Sequence, residues 1–235
     1  MALDANVGMF LCPDDHEDWS IQEREQFLTD VNATLRQRGM PEHREPRSVA
    51  DIDPPLPPER DPCLLGLRLG FYGGEKYRRL ADFAQYLAVH GGVPASDASY
   101  DPLVEQLYDD LPDRRLAFDH VIAITTCQEI VVLPQPFDEV VHRTDPAADH
   151  GILISAHRLR AESTMLGYAL RCFDSHTLDV FNDTMLDDLS FAHLDVRIED
   201  DHDVRQAWAG AADLSNRLTI LANDVLLSGA LAVTG

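Results

Sequence analysis

Apolar positions fall at helical spacing after Ser20, where Ile21, Leu28, Val31 and Leu35 form one stripe. The stretch opens on Ser20-Ile21-Gln22-Glu23, a capping box in which the serine oxygen accepts an orphan backbone N–H and the glutamate reaches back. This predicts a helix to about Arg38, stopped by Gly39. Ahead of it, residues 5–12 read as an opening strand that ends at Pro13. The periodicity then vanishes. Residues 41–62 hold seven prolines, which forbids regular structure and predicts an extended surface segment within one domain.

Beyond it, Leu64 to Phe71 reads as a strand and Gly73-Gly74 as a break. Glu75 to about Val89 reads as a helix with Leu80, Phe83, Ala84 and Leu87 apolar. Asp101-Pro102 is an N-cap with proline at the first helical position, opening a short helix that carries Leu103, Val104, Leu107 and Leu111. Ala117 to Thr126 and Glu129 to Leu133 are β-rich runs expected to pair as a hairpin, closed by Pro134 and Pro136. Ser155 is placed to cap a helix through Arg171, and Leu194 to Ile198 is a further strand. The last helix runs from Val204 to about Leu227, with Gly229 as its end and Ala230 to Val233 as a closing strand. The expected fold is α+β: a mixed sheet with several packed helices and a long C-terminal helix, in a single domain spanning residues 1–235.

Charge changes the picture. The 235 residues carry 41 acids against 19 Lys plus Arg, a net −22, with 29 Asp, 12 Glu, 18 Arg and the lone lysine Lys76. Such a balance disfavours direct binding to duplex nucleic acid or anionic lipid, where clustered cations are required. It favours a basic protein partner, whose encounter it speeds. Host composition is the competing source, since a GC-rich genome replaces Lys with Arg and a salt-adapted cell enriches Asp. Cys12, Cys63, Cys127 and Cys172 are widely spaced with no C-x-x-C pair, and four reduced buried thiols are expected. Residues 1–12 lack a basic leader region, and Asn223, Asp224 and Gly229 interrupt the apolar stretch from Leu218 to Val233. A soluble cytoplasmic protein with no membrane partner is expected.

The sequence has no P-loop, dinucleotide-binding glycine motif, H-E-x-x-H or G-x-S-x-G, so no catalytic residue, metal site or cofactor is assigned. Gly66, Gly70, Gly73 and Gly74 precede a helix, and a strand-to-helix turn explains them better than an anion site. The runs Asp14-Asp15-His16-Glu17-Asp18 and Glu199-Asp200-Asp201-His202-Asp203 pack oxygen ligands around an imidazole. Each directly precedes a helix, so capping and a solvated charge run explain them better than a metal. Cys127 makes a thiolate–imidazole pair only if the fold brings it to His120 or His142. Ser155, His157 and Arg158 open a helix and form a candidate anion site.

Three segments carry a family resemblance: Tyr77-Arg78-Arg79-Leu80-Ala81, Phe118-Asp119-His120 to Leu133-Pro134, and Gly151-Ile152-Leu153-Ile154-Ser155-Ala156-His157-Arg158-Leu159. They resemble an uncharacterised family of bacterial cytoplasmic proteins from GC-rich genomes. Relatives read H-S-D-x-E-G-Y-Y-x-P in the middle segment, where Glu129 and Pro134 match and the His, Asp, Gly and aromatic positions do not. The small, acidic character is similar to that of immunity proteins of bacterial toxin systems. The leading expectation is therefore a non-enzymatic acidic protein that neutralises a basic partner such as a toxin. Its contacts are expected at Asp14, Asp15, Asp18, Asp109, Asp110, Asp113, Glu199, Asp200, Asp201 and Asp203. The alternatives are a small hydrolase or transferase with a polar site near Cys127, Glu129, Ser155 and His157, and an acidic housekeeping protein with no specific basic partner.

Overall fold

Continuous aliphatic runs make the two central strands, Ile130–Leu133 (β3) and Ile152–Ser155 (β5), and every residue in both is buried. Strands hidden on both faces read as unbroken apolar runs rather than as alternation. The computed structural model describes residues 4–11, 19–68, 74–90, 118–126, 129–143, 151–170 and 209–234. The remaining strands are Asp4–Val7 (β1), Gly66–Arg68 (β2), Val141–His142 (β4) and Ala232–Thr234 (β6). The helices among the described residues are Ile21–Gln37 (α1), Gly74–His90 (α2), Asp119–Thr126 (α3), Ala156–Ala169 (α4) and Ala209–Ser228 (α5).

The six strands form one mixed sheet in the order β2-β1-β6-β3-β5-β4. Only β3 and β5 are parallel, with Ile130 opposite Ile152 and Leu133 opposite Ser155. The expected α+β architecture, with its mixed sheet and long C-terminal helix, is what the chain adopts.

The chain divides into two compact units. Residues 2–71, 127–158 and 220–235 form the one that holds the sheet. Its core joins Phe27, Leu28, Val31 and Leu35 of α1 to Val131, Leu133 and Leu153 of the sheet, with Met9, Phe137, Val141 and Leu231. Each such side chain contributes about 1.5–3 kcal/mol by leaving water. Ser20 caps α1 as predicted: its Oγ accepts from Glu23 N (3.2 Å) while Glu23 Oε2 accepts from Ser20 N (2.7 Å). Ile21, expected on the apolar stripe, is instead 71% exposed, and Phe27 takes its place beside Leu28.

Two further expectations are corrected in this unit. The opening strand stops at Val7 rather than Pro13, because Gly8 turns the chain at φ +83° into Met9–Leu11. The proline segment is irregular apart from two short 3-10 turns, yet it is not all surface, since His43, Glu45 and Ile52 are buried. Gly66 starts β2 at φ +116°, and a Cβ there would lie 2.2 Å from the Ala5 carbonyl oxygen. Close pairing of β1 with β2 is thus what demands that glycine.

The other unit comprises Met1, 72–126 and 159–219, and its described residues are helical apart from Phe118 and Leu170 at element ends. α2 packs on α3, and Leu80, Phe83, Ala84 and Leu87 of α2 are buried as expected. α3 corrects the predicted hairpin, because residues 119–126 are a helix and β3 pairs with β5 and β6 instead. Glu162 of α4 decides the matter: its carboxylate accepts from His120 N (2.9 Å) and Val121 N (3.0 Å). Orphan amides at a helix start are costly when buried, and a carboxylate satisfies them while matching the helix dipole. Farther along α4, Ser163 Oγ and Thr219 Oγ1 of α5 share a hydrogen bond (2.9 Å), and Ser215 Oγ donates to Ser163 O. The helix expected after Asp101 and the strand expected at Leu194 to Ile198 lie outside the described residues.

Candidate functional site

Carboxylates in this chain serve two different purposes. Some are structural and face inward. Glu45 is 4% exposed and accepts from Met9 N (3.0 Å), Leu231 N (2.9 Å) and His43 Nε2 (2.6 Å). Glu162 is fully buried and also receives His120 Nδ1 at 3.1 Å. Asp224 is 2% exposed, accepts from Gly66 N (3.1 Å), and has its carboxyl pushed above the usual range by burial.

Others pair with the chain's own arginines. Arg36 binds Glu42 (2.8 Å), Arg217 binds Asp213 (3.0 Å), and Arg60 approaches Asp224 (3.5 Å). Arg143 pairs with Glu129 and lies 4.7 Å from the Phe27 ring centroid. Arg47 holds Glu25 in a two-pronged pair, which keeps the Glu25 carboxyl below its usual range, and caps the Phe10 ring at 4.0 Å. The Ser48 hydroxyl and the Arg47 and Ser48 amides hold Asp51 low in the same way. Exposed pairs contribute little stability, roughly 0–1 kcal/mol each. Their electrostatic effect is larger, because each one cancels a cation the framework would otherwise display.

Most of the net charge lies elsewhere in the sequence. Residues 12–18, 91–117, 144–150 and 171–208 hold 22 of the 41 acids and 5 of the 19 basic residues, a net −17. The described residues hold the other 19 acids and 14 basic residues, a net −5. All ten predicted contact acids, Asp14, Asp15, Asp18, Asp109, Asp110, Asp113, Glu199, Asp200, Asp201 and Asp203, fall outside the described residues. What the structure does show is how one of these runs is anchored. The buried Arg24 guanidinium donates from Nη1 to Met9 O (2.9 Å) and from Nε to Trp19 O (3.0 Å). One side chain therefore grips the backbone on both sides of residues 12–18, and Trp19 packs edge-on against Phe27 at 5.1 Å.

The polar positions proposed for anion binding or chemistry are spread along the sheet. Ser155 ends β5 fully buried, with its Oγ donating to Gln135 O (2.9 Å), whereas His157 is exposed and Arg158 half-buried at the start of α4. Glu129 precedes β3, at the end of the parallel pair opposite to Ser155, about 13 Å away at strand rise. Cys127 lies outside the described residues, His120 is bound to Glu162, and His142 is exposed on β4. Among the described residues no three His, Cys, Asp or Glu side chains are grouped to hold a metal ion. Cys63 departs from the expected reduced thiols: it is exposed and disulfide-bonded, because a turn begun by Pro62 places it outside the core. Among the described residues no helix is long and apolar enough to cross a membrane.

Sequence reasoning missed Arg24, Asn32, His43, Glu45 and Glu162. The faint signal available was a charged pair, His43 and Glu45, set just before Pro46 in a segment otherwise dismissed as surface.

Fold and charge together define a class, that of acidic α+β proteins most of whose net charge lies outside the described residues. The comparisons sharpen it, for residues 1–214 match the family described as "Putative DNA-mimic protein", and the chain belongs to that family. No curated protein and no solved structure matches the chain. The likeness to immunity proteins has no counterpart in these comparisons.

Proposed function

We propose that this protein binds a basic, DNA-contacting protein by offering carboxylates where that partner expects phosphates. The observation that carries the reading is the net −22 of a chain matched to a DNA-mimic family over residues 1–214. Duplex DNA carries one charge per 1.7 Å, so the same charge corresponds to about 11 base pairs, or roughly 37 Å of duplex. Asp and Glu accept from Arg and Lys much as phosphate does, and a concentrated negative field steers a basic cleft onto the protein. The pairing of Arg36, Arg47, Arg60, Arg143 and Arg217 with the chain's own carboxylates supports the reading further, since it lessens their repulsion of such a cleft. The contact acids are Asp14, Asp15 and Asp18, Asp109, Asp110 and Asp113, and Glu199, Asp200, Asp201 and Asp203. The partner is a protein rather than nucleic acid, and a nuclease-type toxin is one member of that class.

The test is capture from a nuclease-treated host extract on the immobilised full-length chain, eluted first with duplex DNA and then with stepped salt. A basic DNA-binding protein displaced by duplex is the expected result, and its association rate should fall steeply with ionic strength. Replacing Asp14, Asp15 and Asp18 together by Asn should slow that association by about threefold to tenfold at low salt while leaving the fold intact. A blank capture, or a partner indifferent to both duplex and salt, sinks the reading.

A further inference from the structure

Hydroxyls within these helices turn back on their own backbone. Thr29, Thr34, Thr125, Ser163 and Thr219 each donate to the carbonyl four residues earlier. Thr164 of α4 breaks the pattern. The residue is 8% exposed, and its Oγ1 is buried with no hydrogen-bond partner among the described residues. A buried hydroxyl left unmet costs about 1–3 kcal/mol, so such a group in a native fold needs a partner.

Arg160, one turn earlier on α4, is a second exception. Arg24, Arg36, Arg47, Arg143 and Arg217 each donate to a backbone carbonyl or a carboxylate. Arg160 is half-buried, its Nε is buried without a hydrogen-bond partner, and no carboxylate pairs with it among the described residues. Burial draws its guanidinium below the usual value, yet an arginine keeps its proton in a protein. In a chain with 41 acids, this cation is taken part-way out of water with no counter-charge beside it.

Residues three and four apart on a helix are neighbours, so Arg160, Thr164 and Gly167 share one face of α4. Gly167 adds no side chain to that face. The neighbouring faces are engaged within the helical unit: Glu162 holds the start of α3, and Ser163 meets Thr219 and Ser215 of α5. We infer that Arg160 and Thr164 form a binding site for a small oxyanion, a phosphate or a carboxylate. The guanidinium fork supplies paired N–H donors, the hydroxyl supplies a third, and the ligand's charge balances that of Arg160. Water satisfies hydrogen bonds but not the charge. The site lies beyond the group predicted at Ser155, His157 and Arg158, of which Ser155 already donates to Gln135 O. It is independent of the carboxylates offered to a basic partner.

The experiment titrates the isotope-labelled full chain with inorganic phosphate, and separately with acetate, and reads the Arg160 Nε–H signal and the α4 amides by NMR. Sodium chloride holds the ionic strength constant at about 150 mM, so that screening of the net charge does not change. A saturable shift of the Arg160 signal is expected. Thr164→Val should weaken the affinity about threefold to tenfold, and Arg160→Gln by about tenfold or more. In chloride alone Arg160→Gln should melt no lower than the parent, because it removes an unpaired cation, and it should lose the parent's rise in melting temperature with phosphate. Should that variant not fold, Arg160→Lys keeps the charge without the fork and should still bind phosphate more weakly. Tighter binding of phosphate assigns a phosphate ligand, and acetate bound as tightly or better assigns a carboxylate. A shift that never saturates, or that exposed amides along the whole chain share equally, overturns the site. So does unchanged affinity in the variants, or an Arg160 signal indifferent to both anions, which leaves water as the partner of both groups.

Discussion

Asp224 lies on α5 with almost no exposure, one oxygen taken by Gly66 N and the other approached by Arg60 at 3.5 Å. Burial raises its carboxyl above the usual range. A group raised in the folded state stabilises the fold most below its unfolded value, about 3.8, and that contribution is lost as pH rises through the folded value. Asp224→Asn keeps an acceptor for Gly66 and removes the titration. The variant should be more stable than the parent at pH 7 by about 1 kcal/mol, with the gap closing as the medium is acidified toward about pH 4. Thermal melts at both pH values measure this, and a difference independent of pH would refute the assignment. Nothing in the sequence marks Asp224 apart from 28 other aspartates. The Ser20–Glu23 box was legible because its partners are three residues apart, whereas Asp224 and Gly66 are 158 apart and Glu45 and Leu231 are 186 apart. Burial and partner at such separations are properties of the finished fold.

The same distinction holds for whole elements. α1, α2, β3 and the C-terminal end of α5 follow from local patterning, and their observed limits lie close to the expected ones, while the expected start of the last helix at Val204 lies outside the described residues. α3 does not, because its residues Val121, Ile122 and Ile124 favour strand, whereas the carboxylate of Glu162, 42 positions from His120, accepts from the amides at the helical start. Glu162→Ala should therefore cost about 3 kcal/mol in urea unfolding and strip exchange protection from residues 120–126, leaving two buried amides without an acceptor. Glu162→Gln retains an acceptor and should cost less than half as much. Equal losses in the two variants would show that the carboxylate fills space rather than capping the helix. Acidic runs were legible at this scale as well, but only as composition: sequence shows where carboxylates are dense and not which arginines the fold has already assigned to the others.

For the molecule as a whole, a net −22 opposes compaction. Ionic strength rising from about 10 mM to about 150 mM shortens the screening length from about 30 Å to about 8 Å, so the melting temperature should rise by a few degrees. The chain should stay folded at the low end, because the described framework is close to charge balance at −5 and carries its own ion pairs. Complete unfolding on dilution would instead favour a composition set by a salt-adapted host. The grip of Arg24 on Met9 O and Trp19 O has a consequence for how such a protein diversifies. Once the two stems are fastened, the length of chain between them is nearly a free variable, since doubling a loop adds only about 0.6 kcal/mol of closure entropy. Insertions and deletions within residues 12–18 should accumulate between relatives far faster than changes at Arg24 itself, which an alignment of family members checks.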